Sequence, residues 1–215
     1  MKDADIREPL FDYLDERYGK NRIFEEKMIG QSRADIIMII ENEFVGLEIK
    51  SDADTYARLE RQIADYDNYC DKNYVVVGKS HEKHVEEHIP SYWGILCAYE
   101  DESGDTRIKE KRKPAQSPKA TINKQIQLLW RPEIALIQEK YSFPKYAGKS
   151  KKFVMNYLIE KLEEVELKSC IIELLFERDY DKMLEEIKTF KKQKRANRRN
   201  VGAKRGAKRA RRAMK

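Results

Sequence analysis

Between Arg22 and Lys50 the chain runs through three short extended segments, Arg22 to Ile29, Ala34 to Ile40 and Phe44 to Lys50, rich in Ile, Val and Phe. Only Gly30-Gln31 and Glu41-Asn42 mark the turns between them, so the segments have no room to cross over and must pair as an antiparallel meander. Turns this tight also fix the register. With a two-residue turn at Glu41-Asn42, Ile40 pairs with Glu43 and Asp35 falls opposite Glu48. With a two-residue turn at Gly30-Gln31, Glu26 falls opposite Asp35 and Glu25 points away.

Cross-strand partners stand about 4.5 to 5.5 Å apart at Cβ, where like charges destabilise each other, so a carboxylate pair of this kind calls for compensation. Side-chain alternation puts Lys50 on the face of Glu48 and sends Val45, Leu47 and Ile49 to the opposite face, into a core. Two or three carboxylates beside an ammonium group suit magnesium- or manganese-assisted attack on a phosphodiester. The acids hold the hard cation, and the lysine orients or activates water.

On either side of the meander the pattern is helical or buried-strand. Ile6, Leu10, Tyr13, Leu14 and Tyr18 recur at helical spacing over residues 3 to 18, with Asp3 or Asp5 as N-cap and Pro9 placed in a first turn. After Lys50, SDADT supplies N-cap candidates for a second helix carrying Tyr56, Leu59, Ile63 and Tyr66 through about Asp71. Gln62 and Tyr66, four apart on that helix, share a face from which an amide and a phenol reach water or phosphate. A buried strand at 73 to 78, a polar helix from Ser80 to about His88 and a strand at 92 to 99 follow. The order is α-β-β-β-α-β-α-β, an α/β fold with a mixed central sheet.

Residues 101 to 123 lose the hydrophobic pattern and read as a strand edge or hairpin leading into a basic linker. Helical periodicity returns over 124 to 190 in at least three pieces: Lys124 to Gln138, broken near Pro132, Lys151 to Glu164, and Leu167 to about Lys192. Charge separates the rest. Residues 191 to 215 hold 13 of the 44 Lys+Arg and no acid, which leaves 31 bases against 38 acids in residues 1 to 190. The expectation is an acidic body, a core at 1 to 100, a helical module at 124 to 190, and a disordered cationic tail at 191 to 215 that neutralises phosphates without reading bases.

The string of Asp35, twelve residues, Glu48-Ile49-Lys50 and then Gln62-Ile63-Ala64-Asp65-Tyr66 resembles the PD-(D/E)XK nuclease superfamily, and the Q-x-x-x-Y element resembles its RecB-like branch. The wider string ADIIMII, GLEIKSDADT, RQIADY, YVVVG and SYWGIL is similar to a small, mostly uncharacterised bacterial family grouped there. The likeness covers roughly residues 3 to 100. It implies a restriction-endonuclease-like αβββαβ core and a Mg2+- or Mn2+-dependent deoxyribonuclease. Asp35 and Glu48 would be metal ligands, the Ile49 carbonyl a further ligand, Lys50 the catalytic group, and Gln62 and Tyr66 supporting residues. Ala34 stands where the motif has proline. Glu26 and Glu8 both qualify as the upstream acid, and strand pairing favours Glu26.

The implied partner is nucleic acid, DNA ahead of RNA. The alternative from another class is a non-catalytic nucleic-acid-binding or adaptor protein on the same fold. His81, His84 and His88 could share one helix face and invite zinc, but without a placed Cys or acid they read as part of a polar surface helix. Tyr56, Tyr69, Tyr92, Trp93 and Trp130 read as core aromatics rather than base-stacking groups. Cys70, Cys97 and Cys170 read as reduced, buried thiols. With 38% charged residues, a mean hydropathy of −0.81 and acids near the N-terminus, the chain is expected to be cytoplasmic, with no membrane span and no export signal.

Overall fold

A computed structural model describes residues 1–179. Helix α1 (Asp3–Tyr18) leads into strands β1 (Arg22–Ile29), β2 (Ser32–Ile40) and β3 (Glu43–Lys50), then helix α2 (Leu59–Tyr69) and strands β4 (Lys72–Val77), β5 (Gly94–Glu100) and β6 (Thr106–Arg112). Four further helices close the described chain: α3 (Ile122–Gln125), α4 (Arg131–Lys140), α5 (Lys151–Lys161) and α6 (Glu164–Phe176). The six strands form one mixed sheet in sequence order. β1, β2 and β3 pair antiparallel, β3, β4 and β5 pair parallel, and β6 returns antiparallel on β5.

The register expected from the turns is present: Ile40 pairs with Glu43 and Ile36 with Leu47, and Ile29 pairs with Ser32. Parity then sorts the strands' side chains to two cores. Ile36, Met38, Val45, Leu47, Ile49, Val76 and Leu96 pack against Ile6, Leu10 and Leu14 of α1. The other face gathers Ile37, Ile39, Phe44, Val75, Val77 and Cys97 with Leu59 and Tyr66 of α2 and the apolar stripes of α3 to α6. Central strands covered on both faces are near-continuously apolar for that reason. Cys70, Cys97 and Cys170 are free and buried, and Trp93 is wholly buried.

Several expectations need correction. The strand edge or hairpin expected within residues 101 to 123 is β6, which returns on β5, so residues through Arg112 belong to the sheet and not to a linker; β6 alternates half-buried with exposed residues, as an edge strand does. Residues 80 to 88 form turns and one short 3-10 segment, Val85–Glu87, in place of a helix, because Val85 alone in that stretch is buried and no apolar stripe spans two turns. The helix expected to run from Leu167 to about Lys192 ends at Phe176 within the described residues. Pro9 lies beyond the first turn of α1, where the helix forgoes one amide donor; burial of Ile6, Leu10 and Leu14 holds it together. The cationic tail, 191 to 215, lies outside the described residues, and none of the described helices is long and apolar enough to cross a membrane.

A candidate metal-assisted active site at the β2–β3 ladder end

The paired ladder of β2 and β3 stops at Ile36–Leu47, one residue short of Asp35 and Glu48. Side chains replace backbone there. The Asp35 carboxylate accepts the Ile49 amide at 2.8 Å, and the Tyr66 hydroxyl accepts the Asp35 amide at 2.9 Å while donating to the Leu47 carbonyl at 3.0 Å. Tyr66 reaches this position because Gly46 on β3 has no side chain. A Cβ on Gly46 would lie 2.4 Å from the Tyr66 ring. Tyr66 is fully buried with its hydroxyl committed to two strands, so it fixes their spacing; contact with water or phosphate, expected from helix geometry, is not its role here.

Glu48 and Lys50 sit on the same face of β3, and α2 lays Gln62 over them. Lys50 Nζ donates to Glu48 Oε1 at 2.7 Å and to Gln62 Oε1 at 3.1 Å, and Gln62 Nε2 also donates to Glu48 Oε1. All of this takes place in a dry setting, since Glu48 and Lys50 are only 1% and 5% exposed. Glu48 Oε2 is buried and has no hydrogen-bond partner among the described residues. The lone hydroxyl proton of Tyr66 is already given to Leu47.

These surroundings shape the acids. Burial pushes the Glu48 carboxyl up to about 7, with the charge of Asp35 adding to the effect and Lys50 opposing it. Burial also raises Asp35, while the Ile49 amide, Lys50 and Arg7 pull it down.

Of the remaining residues expected here, Ile49 contributes its amide to Asp35 and its side chain to the α1-side core. Glu26 occupies the gap between the pairs Glu25–Ile36 and Lys27–Ala34, as does Asp35 on the facing strand. Its carboxylate, however, is held by Arg7 at 3.1 Å and Arg33 at 2.6 Å. Glu25, which pairs with Ile36, points away from Asp35 as its parity requires and meets Arg7 of α1 at 3.0 Å. Glu8 is exposed on α1. Among the described residues no three His, Cys, Asp or Glu side chains are grouped so as to hold a metal, so the site offers two carboxylates in place of the three considered. Arg7 was missed by sequence reasoning, because nothing local to α1 says where its side chain lands.

His81 and His88 pack on the Tyr56 ring, with centroids 4.9 and 4.0 Å away, and His84 lies 3.4 Å from Glu87, so the three imidazoles do not converge. Tyr92 and Trp93 both donate to the buried Asp67.

Over residues 1–201 the sequence matches the family of Bacteriophage P4 protein cII. The chain belongs to that family. No curated protein matches this P4 cII-family member. Among solved structures, it is similar to SfsA of Pyrococcus furiosus, determined in complex with Ca2+, at 15% identity and a TM-score of 0.32. That likeness covers 54% of this chain and spans 62% of SfsA, and at such a score it carries no functional argument. The chemistry of this P4 cII-family chain therefore rests on its own side chains.

Proposed function

We propose that this P4 cII-family chain is a metal-dependent nuclease of the PD-(D/E)XK type acting on DNA. One observation carries the reading: Glu48 keeps a buried carboxylate oxygen without a partner, beside Asp35 and within a network that already binds Lys50 and Gln62. An unpaired buried carboxylate oxygen costs free energy until a proton or a cation meets it. Two hard oxygen donors suit Mg2+ or Mn2+, which retain several waters and are commonly held by one or two carboxylates plus substrate phosphate.

Asp35 and Glu48 would hold the ion. When bound, it supplies Lewis acidity toward a phosphate oxygen and lowers the pKa of a coordinated water. The chain's own residues do the rest. Gln62 and Glu48 fix the Lys50 ammonium so that it orients the attacking water and offsets charge developing on the phosphate. Tyr66 and Gly46 set the separation of the two carboxylates. The chain's nucleic-acid partner is proposed on the same footing, with the cationic segment 191–215 as its phosphate anchor.

The test is cleavage of supercoiled and linear duplex DNA by the full chain with Mg2+ or Mn2+. Cleavage is expected to need the ion and to fall by at least about a hundredfold in Lys50→Ala and Asp35→Asn while DNA binding persists. The second reading, a non-catalytic DNA-binding protein, is favoured by the engagement of Glu26 with two arginines. It predicts binding with no cleavage in wild type or either variant, and that result overturns the first.

A further inference from the structure

Glu26 is placed by register to face Asp35 yet is turned away from it. Its backbone has a φ of 53°, a left-handed conformation that is unfavourable for a non-glycine residue. What offsets this is a pair of guanidinium groups. Arg7 donates to Glu26 Oε1 and Arg33 pairs with Oε2, while Arg7 also holds Asp3 at 2.6 Å and Glu25 at 3.0 Å. Strained backbone at such a position persists only where neighbours over-determine it.

Both arginines reach solvent; the Arg33 side chain is 68% exposed and that of Arg7 19%. A guanidinium fork grips a phosphate with the same planar geometry as a carboxylate. Glu26 and a nucleic-acid phosphate are thus rivals for the same donors. Cross-strand neighbours stand close enough at Cβ for a glutamate side chain to reach its partner's carboxylate.

We infer that Arg7 and Arg33 park Glu26 away from the catalytic acids, and that a backbone phosphate of bound DNA displaces it so that it joins Asp35 and Glu48 on the metal. The inference rests on the nuclease reading above. Its consequence is coupling: metal and DNA each tighten the other through Glu26, by the same factor in both directions.

Both halves are measurable without catalysis. The first is Mn2+ binding to the full chain without DNA, read from the paramagnetic signal of free ion. Wild type and Glu26→Gln should bind alike, because Glu26 is parked. Arg7→Gln/Arg33→Gln should bind at least about tenfold tighter, the gain of one carboxylate ligand. Adding Glu26→Gln to that pair should erase the gain. The second half is duplex DNA binding in EDTA. Glu26→Gln should bind DNA more tightly than wild type, and this advantage should vanish once both arginines are gone.

Gains that survive in the triple variant would be a general charge effect and would overturn the inference, as would weaker Mn2+ binding by Glu26→Gln alone or no gain on removing the arginines. Should melting show that the double variant is unfolded, Arg7→Lys with Arg33→Gln keeps a charge, loses the fork and carries the same expectations. Asp35→Asn separates the two levels of the argument. If it binds Mn2+ as wild type does, the nuclease reading fails; if it loses Mn2+ while the arginine variants show no gain, only the parking of Glu26 fails.

Discussion

One oxygen of Glu48 is saturated by Lys50 and Gln62 and the other has no partner among the described residues, and that asymmetry sets how the site responds to pH. A carboxyl held up at about 7, above its ordinary value, contributes stability that is complete below the ordinary value and is lost as pH rises through 7. In EDTA, the melting temperature of wild type should therefore fall relative to Glu48→Gln from about pH 5 to about pH 8, and a parallel course would contradict this. A divalent ion must displace that proton, so Mn2+ affinity should weaken as pH drops below 7. Lys50→Ala leaves the buried carboxylate uncompensated and should cost about 3 kcal/mol at neutral pH and less at about pH 5, where Glu48 takes a proton, as urea melts at the two pH values would show. Asp35, Glu48, Lys50, Gln62 and Tyr66 could be brought together on paper because strand parity and helical spacing are local rules. The capture of Glu26 by Arg7 could not, since it depends on where a separate helix docks.

The elements meet through close approaches that glycine permits. Gly30, with a φ of +56°, turns β1 into β2, and a Cβ there would lie 2.0 Å from Asp65 Oδ1, the carboxylate that also accepts the Gln31 amide. Asp65 thereby ties the first hairpin to the helix that carries Gln62 and Tyr66. Gly46 does the same for β3 by letting the Tyr66 ring lie on the strand. Gly46→Ala should cost about 2 kcal/mol, measured by urea unfolding, and should lower cleavage as well, because Tyr66 can no longer bridge Asp35 and Leu47. Full stability with full activity would show that Tyr66 does not set the carboxylate spacing. Strands and turns were legible here because two-residue turns and β-branched runs are strong local signals. The stretch from Ser80 to His88 has no apolar stripe and forms turns in place of the expected helix, held by the Tyr56 ring between His81 and His88.

Residues 1–176 form one compact unit, and the helices beyond β6 complete the core over the α2 face of the sheet. Asp71 makes the join. It accepts the Phe44 amide of β3 at 2.8 Å, the Gln125 side chain at 3.1 Å and Lys168 of α6 at 2.8 Å, and is itself 4% exposed. Asp71→Ala should cost about 3 kcal/mol by urea melt, since three donors lose their acceptor together. A fragment ending at residue 123 should be digested at once by protease, whereas an independently folding nuclease core at 1 to 100 would survive. Composition could not reveal this dependence, because it runs through Asp71 meeting Gln125 and Lys168 from distant parts of the sequence. Whether Asp35 and Glu48 share one cation is tested directly by anomalous diffraction from a manganese-soaked crystal of the full chain. A manganese peak bonded to the Asp35 carboxylate and to Glu48 Oε2 is predicted, and manganese bound elsewhere with these two carboxylates left bare would contradict it.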